Sequence, residues 1–137
     1  MTSTERNGSV DALGLERTVL VVDADSAIVR LVAKYLAGSG FNVLTAGSAE
    51  EAIAVAEAHG GRIDLLLAEV MLSPVSGVEL ANYLRKQRAD IHVIYTCAYL
   101  PNGVQEGLEA SGNVILKKPF LVSSLAQKIR EVLEKEG

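Results

Sequence analysis

The sequence predicts one α/β domain with a five-stranded parallel sheet and helices on both of its faces. Short hydrophobic runs recur five times along the chain, and segments with the period of an α-helix separate them. Parallel neighbours need crossover connections, which are usually helical and almost always right-handed. The chain has 137 residues, of which 49% are hydrophobic and 22% charged, as expected for a single globular domain.

The first strand is predicted at residues 18–22, a β-branched hydrophobic run that ends at Asp23. Such runs are typical of strands buried on both faces. Similar runs predict the other four strands at residues 41–45, 63–68, 91–96 and 113–117. We expect the flavodoxin-like strand order 2-1-3-4-5, in which ligands and chemistry lie beyond the carboxyl ends of the strands.

The first helix is predicted to follow Ser26 as its N-cap and to stop at Gly38 and Gly40. Its hydrophobic residues are spaced at i, i+3, i+4, i+7 and i+8, namely Ile28, Leu31, Val32, Tyr35 and Leu36.

Capping-box patterns predict the starts of the second and third helices, where Ser48 precedes Glu51 and Ser76 precedes Glu79. The fourth helix is predicted at residues 101–110, although it contains two glycines. The fifth, at residues 121–135, has one hydrophobic stripe. Residues 1–17 are polar and are expected to form a flexible tail, so the domain itself would cover residues 18–137.

Composition excludes several classes of protein. The 13 Lys and Arg residues are outnumbered by 17 Asp and Glu residues, and the net charge of −4 argues against a direct nucleic-acid partner. A single cysteine, Cys97, excludes an intrachain disulfide and a four-cysteine zinc site. No hydrophobic run is long enough for a signal peptide or a membrane span, so we expect a cytoplasmic protein without membrane contact.

The predicted strands end at residues that can carry chemistry: Asp23, Thr45, Glu69, Cys97 and Lys118. Strands 1, 3 and 5 would therefore bring two carboxylates and one ammonium group into a single cleft. Converging charges of this kind are a candidate site.

Four segments resemble the receiver domain of two-component response regulators. They are VVDADS at residues 21–26, DLLLAE at 64–69 with Pro74 and Gly77 beyond it, VIYTCA at 93–98, and KKPF at 117–120. The resemblance covers the chain from about Thr18 to its end. It implies a bacterial phosphorelay signalling module that is not an enzyme. In that family an acidic pair holds Mg²⁺, an Asp accepts the phosphoryl group, and a hydroxyl residue and a Lys complete the site.

Several of these positions differ in this chain. Asp23 matches the first acid, Ala24 stands where the second is usual, and Asp25 follows in the acidic pocket, although alternation would point it away. Glu69 stands at the phosphoacceptor position. The resemblance implies that the Mg²⁺ ligands would be Asp23, Glu69 and the backbone carbonyl of Met71, which predicts weak or absent Mg²⁺ binding.

The switch positions differ as well. Cys97 replaces the usual Thr or Ser, and Ile115 replaces an aromatic residue on the fifth strand. Lys118 matches the family lysine, and by resemblance its bond to Pro119 is cis.

Together these differences predict a degenerate receiver that is not efficiently phosphorylated. Glu is one methylene longer than Asp, and a displacement of roughly 1 Å in a reacting atom can cost on the order of 100-fold in rate. We expect Lys118 to reach Glu69 directly. The resemblance implies a histidine kinase, a phosphotransfer protein or another signalling protein as partner, or a second copy bound through helix 4, strand 5 and helix 5.

Other interpretations stay open. A receiver could retain slow phosphorylation or respond to another input. A flavin- or nucleotide-binding protein could share the fold, although the loop after the first strand is acidic and has no glycine. A hydrolase would need a G-x-S-x-G motif, which the sequence lacks, and His59 and His92 lie away from the strand ends. Cys97 could be a redox sensor with a lowered pKa or an ordinary buried residue.

Overall fold

The computed structural model describes Val10 and residues 16–134, so most of the predicted tail lies outside the described residues. Five parallel strands form one sheet in the order β2-β1-β3-β4-β5, which confirms the predicted topology. The strands are β1 (Thr18–Val22), β2 (Asn42–Ala46), β3 (Leu65–Glu69), β4 (His92–Cys97) and β5 (Val114–Lys117). The helices are α1 (Ser26–Gly38), α2 (Ala49–Ala58), α3 (Gly77–Gln87), α4 (Val104–Ala110) and α5 (Val122–Glu134).

The predicted bounds of β1 are confirmed, whereas each of the other strands begins one or two residues later than predicted. Phe41, Ile63 and Ile91 begin predicted strands because they are hydrophobic. All three are buried, at 3%, 1% and 6% exposure, but they precede the paired segments. Each chain segment thus enters the core one or two residues before it pairs with a neighbouring strand. Hydrophobicity alone cannot distinguish a buried residue that precedes a strand from one that belongs to it.

The sheet is covered on both faces, because alternate residues of each strand point to opposite sides. Leu20 and Val22 pack in one core, against α2 and α3. Val19 and Val21 pack in the other, against α1 and α5. This arrangement explains why β1 is buried at every position and hydrophobic from Val19 to Val22.

The N-cap of α1 is Asp25, so the prediction of Ser26 was wrong. Asp25 has an extended backbone, and its Oδ1 accepts hydrogen bonds from the amides of Ala27 at 2.9 Å and Ile28 at 3.4 Å. Both residue types are good caps, and the sequence does not show which of two neighbours leaves the helical backbone.

The two predicted capping boxes differ in outcome. Ser76 and Glu79 form the complete reciprocal pair at α3, as predicted. At α2, Ser48 accepts a hydrogen bond from the amide of Glu51, but the Glu51 carboxylate turns to the amide of Gly47. The α2 box is therefore only half formed.

Helix α4 begins at Val104 and not at residue 101 as predicted. Gly103 precedes it with a φ of +88°, a left-handed conformation that glycine adopts without strain. The residues before it form a turn, because this conformation cannot continue a right-handed helix. None of the described helices is long and apolar enough to cross a bilayer.

Candidate functional site

Three predicted residues meet beyond the carboxyl ends of the strands. Asp23 directly follows β1, Glu69 is the last residue of β3, and Lys118 directly follows β5. The Nζ atom of Lys118 lies 2.7 Å from Oδ2 of Asp23 and 3.3 Å from Oε2 of Glu69. The predicted contact between Lys118 and Glu69 is thus present, and the shorter contact to Asp23 was missed.

The remaining carboxylate oxygens are also bonded. Oδ1 of Asp23 accepts a hydrogen bond from the amide of Asp25 at 2.8 Å. Oε1 of Glu69 accepts a longer one, 3.4 Å, from the amide of Ala24. Every oxygen of these two carboxylates therefore has a donor within the chain, and two donors are backbone amides of the loop after β1.

The cluster is largely withdrawn from solvent. The side chains of Asp23, Lys118 and Glu69 are 5%, 16% and 17% exposed. Burial lowers the pKa of Lys118, but the hydrogen bond and charge of Asp23, with those of Glu69, outweigh burial and raise that pKa above the ordinary lysine value. Lys118 is thus a stable cation at neutral pH.

Asp25 does not join this cluster through its carboxylate. Its side chain is directed at the first turn of α1. Asp25 contributes to the pocket only through its amide, which bonds to Asp23. Capping of α1 accounts for this direction, so the Asp25 carboxylate does not belong to the acidic pocket to which the sequence assigned it.

The end of β3 is held by a close backbone approach. The amide of Gly77 donates to the carbonyl of Val70 at 2.9 Å. A Cβ atom at Gly77 would overlap the backbone carbonyl of Glu69. Gly77 therefore allows the start of α3 to pack directly behind Glu69, a function that the sequence motif did not reveal.

Cys97 is fully buried at the end of β4, and its carbonyl accepts a hydrogen bond from the amide of Lys118 at 2.7 Å. Burial raises the pKa of its thiol, and the opposing charges of Lys117 and Lys118 do not reverse that effect. The structure therefore contradicts the alternative of a redox thiol with a lowered pKa and agrees with an ordinary buried residue.

The other predicted positions lie around the cluster. Ile115 is half-buried on β5 and pairs in register with Tyr95 of β4, so an aromatic side chain lies on the neighbouring strand. The bond between Lys118 and Pro119 is cis, as the resemblance implied. Met71 is 57% exposed in the loop after β3.

The residues present do not fit Mg²⁺ well. This ion prefers about six oxygen ligands in near-octahedral geometry. Ala24 offers no side-chain oxygen, and an ammonium group already contacts both carboxylates. Within residues 16–134, no group of three or more His, Cys, Asp or Glu side chains is placed to hold a metal ion.

Comparison with known proteins identifies the family. A model of the response regulator receiver domain matches residues 19–130. Among curated proteins, the chain is 32% identical over 120 residues to the sensor kinase CckA of Brucella abortus, covering 87% of this chain and 13% of that protein. It is also 32% identical over 123 residues to the probable transcriptional regulatory protein TcrX of Mycobacterium tuberculosis, covering 88% and 51%. The chain thus spans about half or less of these two relatives.

Solved structures agree with this result. The structure superposes on a CheY-like receiver domain protein from Methanospirillum hungatei with a TM-score of 0.76 and 28% identity, covering 88% of this chain and 98% of that one. The receiver domain of the hybrid histidine kinase CckA gives a TM-score of 0.70 and 27% identity, covering 85% and 98%. The order of the strands, the cluster at their carboxyl ends and these similarities together show that the chain belongs to the response regulator receiver domain family of two-component systems.

Proposed function

We propose that this receiver domain signals through protein binding and is not efficiently phosphorylated on Glu69. The observation that carries the proposal is the position of the Lys118 ammonium group, 2.7 Å from Asp23 and 3.3 Å from Glu69. The Lys118 cation thus contacts both carboxylates in the absence of a phosphoryl group, and each carboxylate oxygen has a donor within the chain. On this proposal the domain is not an enzyme and stays in one signalling state.

The chemistry of phosphoryl transfer supports the proposal. A carboxylate oxygen must attack phosphorus while cations stabilise the charge on the phosphoryl oxygens. The longer Glu69 side chain displaces the attacking oxygen by roughly 1 Å from the position of an aspartate oxygen. Ala24 supplies no metal ligand, and Cys97 offers a weak S–H donor where a hydroxyl group would bind a phosphoryl oxygen. All three differences lower the rate.

The surface around the cluster supports a protein partner. The loops that follow β3, β4 and β5 each expose a large hydrophobic side chain: Met71 is 57% exposed, Tyr99 72% and Leu121 70%. Hydrophobic side chains that share one edge are typical of interaction sites. The proposed partner is a histidine kinase, a phosphotransfer protein or another signalling protein; a homodimer through α4, β5 and α5 is the alternative.

Incubation with acetyl phosphate and Mg²⁺, followed by intact-mass measurement, tests the proposal. We expect the wild-type mass to stay unchanged, because neither the nucleophile nor the metal ligands have the required geometry. A stoichiometric gain of about 80 Da that maps to Glu69 would instead establish the alternative, a receiver that retains phosphoryl acceptance.

A double variant provides the positive control. Glu69→Asp together with Ala24→Asp restores the shorter nucleophile and adds a carboxylate at the metal-binding position, so we expect this variant to gain the phosphoryl mass. Glu69→Asp with Ala54→Asp is the matched control, because Ala54 is exposed on α2, away from the strand ends. If the first pair gains nothing over the second, the assignment of Glu69 and Ala24 to these positions is wrong.

A further inference from the structure

We infer that the ammonium group of Lys118 takes the place of a divalent metal ion in this pocket and excludes such an ion. The inference rests on the proposed function and deepens it, since it states why the pocket needs no Mg²⁺. It concerns the wild-type chain, in which the Lys118 side chain contacts both carboxylates.

The contacts are those of a bound cation. Nζ of Lys118 contacts one oxygen of each carboxylate, Oδ2 of Asp23 and Oε2 of Glu69. The other two oxygens accept hydrogen bonds from the amides of Asp25 and Ala24. Each oxygen thus already has a donor, and a metal ion would have to compete with the ammonium group or an amide at whichever oxygen it approached. Among the described residues, no further acidic side chain is placed to act as an additional metal ligand, because the Asp25 carboxylate caps α1.

Lys118 is also fixed at its base. Its amide donates to the carbonyl of Cys97 at 2.7 Å, which ties the start of the β5–α5 loop to the end of β4. Only the side chain could therefore move away from the carboxylates. Its side chain is 16% exposed, so such a movement would leave two poorly solvated carboxylates without their cation.

The charges lead to the same conclusion. Asp23 and Glu69 carry two negative charges and Lys118 one positive charge, which leaves a net charge of −1 on the cluster. A divalent ion added to this set would change the net charge to +1. Because the Asp23 and Lys118 side chains are 5% and 16% exposed, solvent screens the repulsion between the two cations only weakly.

Mn²⁺ binding to the full chain tests the inference, with electron paramagnetic resonance of free Mn²⁺ as the measurement. We expect no saturable binding to the wild type at millimolar Mn²⁺. Lys118→Met removes the resident cation, so we expect binding at least about tenfold tighter than in the wild type, a difference of about 1.4 kcal/mol. Lys117→Met is the matched control, since Lys117 is exposed and contacts neither carboxylate by an ion pair.

A second variant covers the case in which Lys118→Met does not fold. Ala24→Asp adds one negative charge at an exposed position. The net charge of the cluster then becomes −2, the same value that Lys118→Met produces by removing one positive charge. We expect it to bind Mn²⁺, whereas Ala54→Asp, exposed on α2, should behave as the wild type.

The outcomes separate this inference from the proposed function. Equal Mn²⁺ binding by the wild type and Lys118→Met overturns the inference, and so does a folded Lys118→Met protein that fails to bind Mn²⁺. If Lys118→Met cannot be purified, absence of binding by Ala24→Asp overturns it. The acetyl phosphate experiment is run on the same wild-type sample. Metal binding without a phosphoryl adduct contradicts only the inference, whereas an adduct contradicts the proposed function.

Discussion

Single side chains determine the chemistry of this pocket, and the pKa of Cys97 shows how strongly a side chain's reactivity depends on its surroundings. Its thiol lies close enough to Lys117 and Lys118 for their charges to lower its pKa, yet burial has the larger effect and raises it. Cys97 is fully buried at the end of a central strand. We therefore expect a structural thiol and not a reactive one.

Thiol labelling provides the measurement at this scale. Cys97 is the only cysteine in the chain, so one label reports on one site. We expect modification by a disulfide reagent at neutral pH to be at least about 100-fold slower in the folded protein than in urea, because access requires opening of the fold. Equal rates in the two conditions would show that the thiol is exposed.

The same residue predicts a dependence on pH. The folded-state pKa of Cys97 is raised, so the thiol's contribution to stability is complete below the unfolded-state value of about 8.5 and is lost as pH rises through the folded-state value. We expect the unfolding free energy of the wild type, relative to Cys97→Ser, to fall over this range. Urea denaturation of both proteins at several pH values measures it, and a difference that rises with pH would contradict the assignment.

At the scale of elements, helix termini and the ends of strands fix the loops of the pocket. Asp25 caps α1 with its carboxylate, and its amide donates a hydrogen bond to Asp23, so the start of the helix also orients the first acid.

Far from the pocket, Arg88 at the end of α3 donates to the carbonyls of Ala56, His59 and Gly61. This guanidinium group satisfies carbonyls at the end of α2, where helices leave acceptors unpaired.

Substitution of the two adjacent residues at the start of α1 distinguishes the observed cap from the predicted one. Asp25→Ala removes the acceptor for two amides, and we expect it to lower the unfolding free energy by about 1 kcal/mol. Ser26→Ala serves as the control and should change stability little, since Ser26 is exposed within the helix. Urea denaturation measures both, and a larger loss in Ser26→Ala would show that the cap is Ser26 after all.

Over the whole molecule, the helices differ in how far they are buried, and the two ends of the sheet differ in their charged groups. Four helices have fully buried residues, whereas α4 has none and packs the partly buried Leu108 against the core. At the amino ends of the strands, the buried carboxylate of Asp64 contacts Arg62 at 3.0 Å and Arg17 at 3.8 Å. Two guanidinium groups thus surround one carboxylate there, whereas at the carboxyl ends two carboxylates surround one ammonium group.

The uneven burial predicts where the fold opens most readily. We expect the amides of α4 to exchange hydrogen fastest among the described helices, because local stability follows buried contacts. Gly107→Ala should raise the free energy of opening α4 by about 0.5–1 kcal/mol and so slow that exchange, because alanine favours the helix more than glycine does. The added Cβ would meet no atom within 4 Å. Gly38→Ala, at the equally open end of α1, should leave α4 unchanged. Hydrogen exchange with mass spectrometry measures this, and faster exchange in α1 than in α4 would contradict the prediction.

The sequence by itself determined the alternation of strands and helices, the strand order and the charged residues at the carboxyl ends of the strands. Hydrophobic periodicity and turn residues are local properties, and a parallel sheet leaves few topologies once they are known. The motifs at the strand ends placed Asp23, Glu69 and Lys118 in one cleft, and the replacements at residues 24 and 69 are visible without coordinates.

Only the tertiary structure decided which atoms meet. β3 and β4 lie between β1 and β5, so the contact of Lys118 with Asp23 depends on how far the loop after β5 reaches across the sheet. The choice of Asp25 as cap depends on a backbone conformation that Ser26 could equally adopt, and α4 begins late because Gly103 takes a left-handed conformation that its sequence permits but does not require. Sequence spacing places the end of each strand to within one residue, whereas the distances between side chains from different strands follow from packing and pairing across the whole sheet.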